Sequence, residues 1–158
     1  MKYGWWTAWS AVMIIASLGC IAPEVNSSFN NGGASTSVGV SGDVQARAFV
    51  GRSGVAESTG SGYVITLVDD TSFTCFSTPT DPYLKIDIGM FSTEGTFSAA
   101  GSVTFATNDG VVEESESAMQ GTVTISIIDE PNASISGSID AAGLNSDVSG
   151  SFTVELCP

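Results

Sequence analysis

The chain has 158 residues, with 17 Asp and Glu against 4 Lys and Arg, no histidine, and a net charge of −13. So acidic a surface repels phosphate backbones and excludes nucleic acid as a partner, while the missing imidazole excludes Ser-His-Asp and Cys-His catalysis and deprives zinc of its usual ligands. The length suits one domain with a real core.

At the N-terminus, Lys2 forms a short basic region and Gly4 to Gly19 carries no charge. The run Ala11-Val12-Met13-Ile14-Ile15-Ala16 has the character of a signal-peptide core followed by small residues and a cysteine. The tail Ser17-Leu18-Gly19-Cys20 resembles the lipobox of bacterial lipoproteins. Gly19 matches that pattern, whereas Ser17 stands where Leu is usual and Leu18 where a smaller residue is usual. The resemblance implies cleavage of residues 1–19, a thioether from the Cys20 thiol to diacylglycerol, and acylation of the new amino group. Two or more acyl chains give a stable anchor where one binds only marginally. Ile21 in place of Asp after Cys20 implies, by the same resemblance, sorting to the outer membrane of a Gram-negative host. Two other readings stay open: ordinary cleavage near Ala22, or an uncleaved anchor from Gly4 to Ala22, since a spanning helix needs about 20 apolar residues.

Without Lys2 the remaining cations are Arg47, Arg52 and Lys85, and the charge becomes one unit more negative. Anionic headgroups would repel such a protein, so membrane contact has to come through the lipid. Residues 20–37 read as a flexible tether, rich in Gly, Ser and Asn and without apolar periodicity.

From 38 to 158 the period is two, which predicts a β-domain. Val44, Ala46, Ala48 and Val50 alternate with Gln45, Arg47 and Phe49; Tyr63–Val68 and Leu84–Phe91 are runs of β-formers. Val103 and Phe105 follow, then Val123, Ile125 and Ile127 on one face, Ile135 and Ile139 about Gly137, and Phe152, Val154 and Leu156. Turn residues separate them at Gly60-Ser61-Gly62, Thr93-Glu94-Gly95, Asn108-Asp109-Gly110 and Asp129-Glu130-Pro131-Asn132. The expected fold is all-β, a single antiparallel β-sandwich or calycin-like barrel. Asp70 to Thr78 is the one candidate for a helical turn. An aliphatic-Ser-Gly-x-apolar unit recurs at Val40–Val44, Ile135–Ile139 and Val148–Phe152; the last two fit the arms of a hairpin, and glycine within strands marks bends or close backbone approach.

The stretch Gly121–Ile125, Ile135–Ile139, Val148–Phe152 and Cys157 resembles the C-terminal half of small uncharacterised lipoproteins of Gram-negative bacteria. That resemblance implies a β-sandwich or calycin-like barrel and no known activity.

Cys75 and Cys157 form an even pair, and in an oxidising compartment two cysteines are expected to form one disulfide. Closing a loop of about 80 residues contributes roughly 4–5 kcal/mol in the chain-entropy account. Cys157 should oppose the Phe152-Val154-Leu156 face, at a rim or outer surface, with the two Cα atoms within about 7 Å.

Candidate chemistry is sparse. Pro82, not Ser, stands three residues before Lys85, so no Ser-Lys pair is signalled. Two carboxylates suffice for a glycosidase, but all three tryptophans fall in the signal, leaving a poor sugar platform. Glu114 and Glu116, in the acidic run from Asp109, share a strand face and suit Ca²⁺ by chemistry, though no Asp-x-Asp-x-Asp-Gly loop accompanies them; a solvated edge is the plainer reading. Asp69, Asp70, Asp81 and Asp87 either converge near Cys75 or cap turns. Phe73, Phe76, Tyr83 and Phe91 either line a pocket at a barrel mouth or plug a core. The reading is therefore of a non-catalytic protein without cofactor or metal, lipid-anchored in the cell envelope, whose domain is structural or binds an unidentified protein. A carrier of a small apolar ligand and a Ca²⁺-dependent adhesion module are the alternatives.

Overall fold

The computed structural model describes residues 36–79, 81–89, 94–108 and 112–158. The expected signal peptide, Cys20, and the tether up to residue 35 lie outside the described residues. Within them there is no helix. The strands are β1 (Ser37–Val44), β2 (Arg47–Val50), β3 (Ser53–Ser58), β4 (Tyr63–Val68), β5 (Tyr83–Asp87), β6 (Gly95–Ser98), β7 (Val103–Asn108), β8 (Glu113–Ser117), β9 (Gln120–Asp129), β10 (Ser134–Ala142) and β11 (Asp147–Leu156).

Hydrogen-bonded neighbours run β6-β9-β10-β11-β3-β4-β5-β7-β8, with β1 also on β11 and β2 on β1. Two corners curl this sheet. β11 gives its Asp147–Thr153 stretch to β1 in antiparallel register and its last residues to β3 in parallel, Glu155 opposite Val55 and Leu156 opposite Ala56. The other strand pairs are antiparallel. At the second corner β8 runs into β9 through Ala118 and Met119. Ala118 N–H donates to the Val103 carbonyl at the start of β7, and Met119 N–H donates to the Ala142 carbonyl at the end of β10. The inner face thus closes on one core, in which Val40, Phe49, Ile65, Leu84, Phe105, Ile125, Ile135 and Phe152 are buried.

The Ser-Gly units mark where strands bend. Gly150, in β11, has φ +145, and a Cβ there would strike the Gly39 carbonyl on β1; Gly42 has φ +148 and faces the Asp147 carbonyl in the same way. Only glycine lets these two backbones meet so closely while bending.

Several sequence expectations need correction. Val44–Val50 is not one strand. Gln45 and Ala46 have φ of 49° and 59° and reverse the chain between β1 and β2. Such a two-residue turn usually announces itself with Asn-Gly; here tertiary hydrogen bonds hold it instead. The reversal changes the phase, so Phe49 is buried and Val50 is 50% exposed. The Val123-Ile125-Ile127 face is also broken. Ser136 pairs with Ile127 but Gly137 pairs with Ile125, so Ser126 bulges, Ile127 turns out and Ile128 packs on the core. The Leu84–Phe91 run stops as strand at Asp87, where the Asp87 carboxylate accepts from Gly89 N–H (2.8 Å); Phe91 lies outside the described residues. Residues 70–78 form turns rather than helix.

Candidate functional site

Two arrangements use polar or reactive side chains across elements far apart in sequence. The first fastens one end of the curled sheet. Ser146 is 5% exposed. Its hydroxyl accepts from Gln45 N–H (2.8 Å) and donates to the Glu116 carboxylate. Glu116 also accepts from Asn145 N–H at 3.1 and 3.3 Å through its two oxygens. Gln45 in turn donates through Nε2 to the Phe105 carbonyl (3.2 Å) and accepts from the Thr107 hydroxyl at 3.3 Å. The β1–β2 turn, β7, β8 and the β10–β11 turn are thereby tied together. A left-handed Gln-Ala turn costs backbone energy, and this web over-determines it.

The second arrangement lies on the outer face of β3, β4, β5 and β7. Val55, Val68, Tyr83 and Ala106 point outward there and are covered by Phe73 and the Cys75–Cys157 disulfide, whose Cα atoms are 5.6 Å apart. The covering segment, residues 69–79, is fixed by its own bonds. Ser53 Oγ–H donates to the Asp70 carbonyl; Asp70 Oδ1 accepts from Ser72 N–H and Oγ–H, both at 2.8 Å; Ser77 N–H donates to the Thr74 carbonyl (3.1 Å). The Ser72 bonds, backbone first, hold the Asp70 carboxyl below its ordinary range. Tyr83 donates its phenol proton to Glu113 Oε1 (2.6 Å). Burial first, then the bond to Glu113 and its charge, push that phenol above its ordinary range. Lys85 Nζ sits 5.3 Å from the Tyr83 ring centroid, a cation–π contact.

These placements decide the open alternatives among the candidate residues. Cys157 does oppose the Phe152-Val154 face and lies on the outer surface of the sheet, one of the two places expected, where the 69–79 segment covers it to 6% exposure. The outer face there is itself covered, which strand alternation alone does not reveal. Phe73 and Tyr83 belong to this second core and not to a barrel mouth, while Phe76 is 78% exposed. The four aspartates do not converge. Asp69 pairs with Arg52 (2.6 Å), Asp81 pairs with Arg47, and Asp70 and Asp87 cap turns. Glu116 is committed to Asn145 and Ser146, and Glu114 stands on β8 as an exposed edge residue. Among the described residues no group of three or more His, Cys, Asp or Glu is arranged to hold a metal ion.

Sequence reasoning missed Gln45, Ser146 and the left-handed Phe76, because nothing local marks them. Gln45 and Ser146 meet 101 positions apart in the chain. No family model, no curated protein and no solved structure matches this chain.

Proposed function

We propose that this chain is an exported envelope protein, anchored by lipid at Cys20, whose β-domain is a non-catalytic structural or protein-interaction module. The observation that carries the domain half of this reading is the filled interior. Phe49, Phe105, Phe152, Ile65 and Leu67 close the inner face with no more than 2% exposure each. Among the described residues, the polar side chains of Gln45, Glu116 and Ser146 that reach across elements act as fastenings. The same packing speaks against an apolar-ligand carrier, which needs an open interior. The anchoring half rests on the signal-like residues 1–19 and on the Ser17–Cys20 lipobox resemblance.

The test is fractionation of cells producing the wild-type chain and Cys20→Ser. Wild type should sediment with membranes and carry an N-terminal peptide whose mass includes diacylglycerol; Cys20→Ser should lose both properties. A Cys20→Ser protein as firmly membrane-bound as wild type would identify residues 4–22 as an uncleaved anchor. Turnover lost on changing specific carboxylates would end the non-catalytic reading.

A further inference from the structure

We infer that Phe76 is the anchor by which this domain docks a protein partner bearing an apolar pocket with a cationic rim. The inference rests on the interaction-module reading and names its surface. A single exposed apolar side chain is ordinary on a protein. Phe76 is set apart by its backbone and its mounting. It has φ +67, a left-handed conformation that is an outlier for a bulky aromatic residue. It nevertheless remains 78% exposed, so little packing among the described residues offsets that strain.

The mounting is rigid on both sides. Cys75, the preceding residue, is bridged to Cys157 at the end of β11, and Ser77, the following one, donates to the Thr74 carbonyl while its hydroxyl bonds Thr74 Oγ1 at 3.0 Å. Two residues earlier Phe73 is buried in the outer core. An aromatic residue carried on a backbone fastened in this way adds little main-chain ordering to the cost of binding, a condition that favours one side chain as an interface anchor. Leu144 is equally exposed and its turn is also fastened, through Asn145 and Ser146 to Glu116, but its backbone is not left-handed, so no strain marks its placement.

Charge selects the partner. Arg47 and Arg52 are engaged by Asp81 and Asp69, and Lys85 lies over Tyr83. Around the outer core the carboxylates of Asp70, Glu113 and Glu155 have no ion-pair partner among the described residues; Glu155 is placed there by its register with Val55. A second copy of this chain would bring like charge to that face. A pocket edged with Lys or Arg would be steered to it and held.

The experiment places p-benzoylphenylalanine at position 76, and separately at 144, in the full chain produced in its native cells, and irradiates them. A protein crosslinked from position 76 is then purified and its affinity measured with the unmodified chain and with Phe76→Ala. The inference expects capture from 76 in preference to 144, a crosslink site in an apolar pocket with Lys or Arg nearby, weakening of at least roughly tenfold in Phe76→Ala, and further weakening with added salt. Phe76→Leu should recover part of the loss, since Leu keeps apolar bulk at the tip. Capture from 144 alone, or equal affinity in Phe76→Ala, overturns the anchor and leaves the interaction module standing. Capture from neither position overturns both.

Discussion

The β9-β10-β11-β1 half of the sheet is buried on one face, whereas the β3-β4-β5-β7 half is covered on both. In β10, Ile135, Gly137, Ile139 and Ala141 turn inward and Ser134, Ser136, Ser138 and Asp140 outward. The outer hydroxyls pair across strands, Ser136 with Thr153 at 2.9 Å and Thr96 with Thr124 at 3.0 Å. In β4 the alternation disappears: Tyr63, Ile65 and Leu67 fill the inner core, Val68 is buried beneath the covering segment, and outward-facing Thr66 is also buried. One half therefore folds by the amphipathic rule of an antiparallel sheet with a wet side. The other needs a lid, and that lid has no regular structure of its own. Its hold comes from Phe73, the Ser53–Asp70 bond and the disulfide.

The largest expected effect tests this dependence. Replacing both cysteines, as Cys75→Ala with Cys157→Ala, should lower the unfolding free energy by about 2–5 kcal/mol, read as a lower urea midpoint. The loss should be uneven. Amide exchange at Val68, Tyr83 and Ala106 should quicken more than at Ile135 and Ile139, because the lid covers only the first group. Uniform quickening would show that the two halves open together and would break the comparison.

In the half without a lid, precision lies in the backbone. Gly150→Ala must place a Cβ against the Gly39 carbonyl at a φ that side chains rarely adopt. It should cost about 1–3 kcal/mol and weaken β1 on β11. Ser151→Ala, one residue on and outward-facing, should change stability by less than about 0.5 kcal/mol. Comparable losses from the two would mean that the close approach is not what limits this corner.

How far the fold was legible follows the same division. Val123, Ile125, Ile135, Ile139, Phe152 and Val154 alternate cleanly because one face is wet, and the sequence reading found those strands and their inner residues. β3 was not recognised, since Ser53–Ser58 offers only Val55 and Ala56 as apolar residues and its burial is imposed by β4 and β11. The phase errors at Val50 and Ile127 share a cause: a turn without turn residues and a bulge each shift a period-two pattern by one. The carboxylates were recognisable as residues but not as partners, because Glu116 meets Ser146 through the curl of the sheet.

A smaller effect is expected where the two halves are tied. Ser146→Ala removes the acceptor of Gln45 N–H and a donor to Glu116, and should cost about 1–2 kcal/mol. The cost is bounded because the Glu116 side chain is only half-buried and water can replace the hydroxyl there. Asn for Gln45 and Gly for Ala46 would test whether the web or the turn matters more. Those residues suit a left-handed turn, so the double exchange should offset most of the Ser146→Ala loss if the web serves mainly to hold the turn. No recovery would mean that the ties from Gln45 to Phe105 and Thr107 matter in their own right.

A still smaller loss at neutral pH is expected at Tyr83, on the lidded face. Tyr83→Phe keeps the ring and removes only the hydroxyl bonded to Glu113, a loss of about 0.5–1 kcal/mol. Its interest lies in alkali. Burial and the neighbouring Glu113 raise the phenol's pKa in the folded protein above the unfolded value of about 10, so folding favours the protonated form. The stabilisation from this proton is full below about pH 10 and is lost as the pH climbs through the higher folded value. Wild type should therefore lose stability in that alkaline range, while Tyr83→Phe should show a shallower decline, measured as urea midpoints at increasing pH. If the lid is what protects the phenol, the Cys75→Ala, Cys157→Ala variant should show Tyr83 phenolate absorbance at lower pH than wild type. Equal slopes in wild type and Tyr83→Phe would show that the outer core is wet enough to solvate a phenolate, and the two halves would then differ in composition but not in burial.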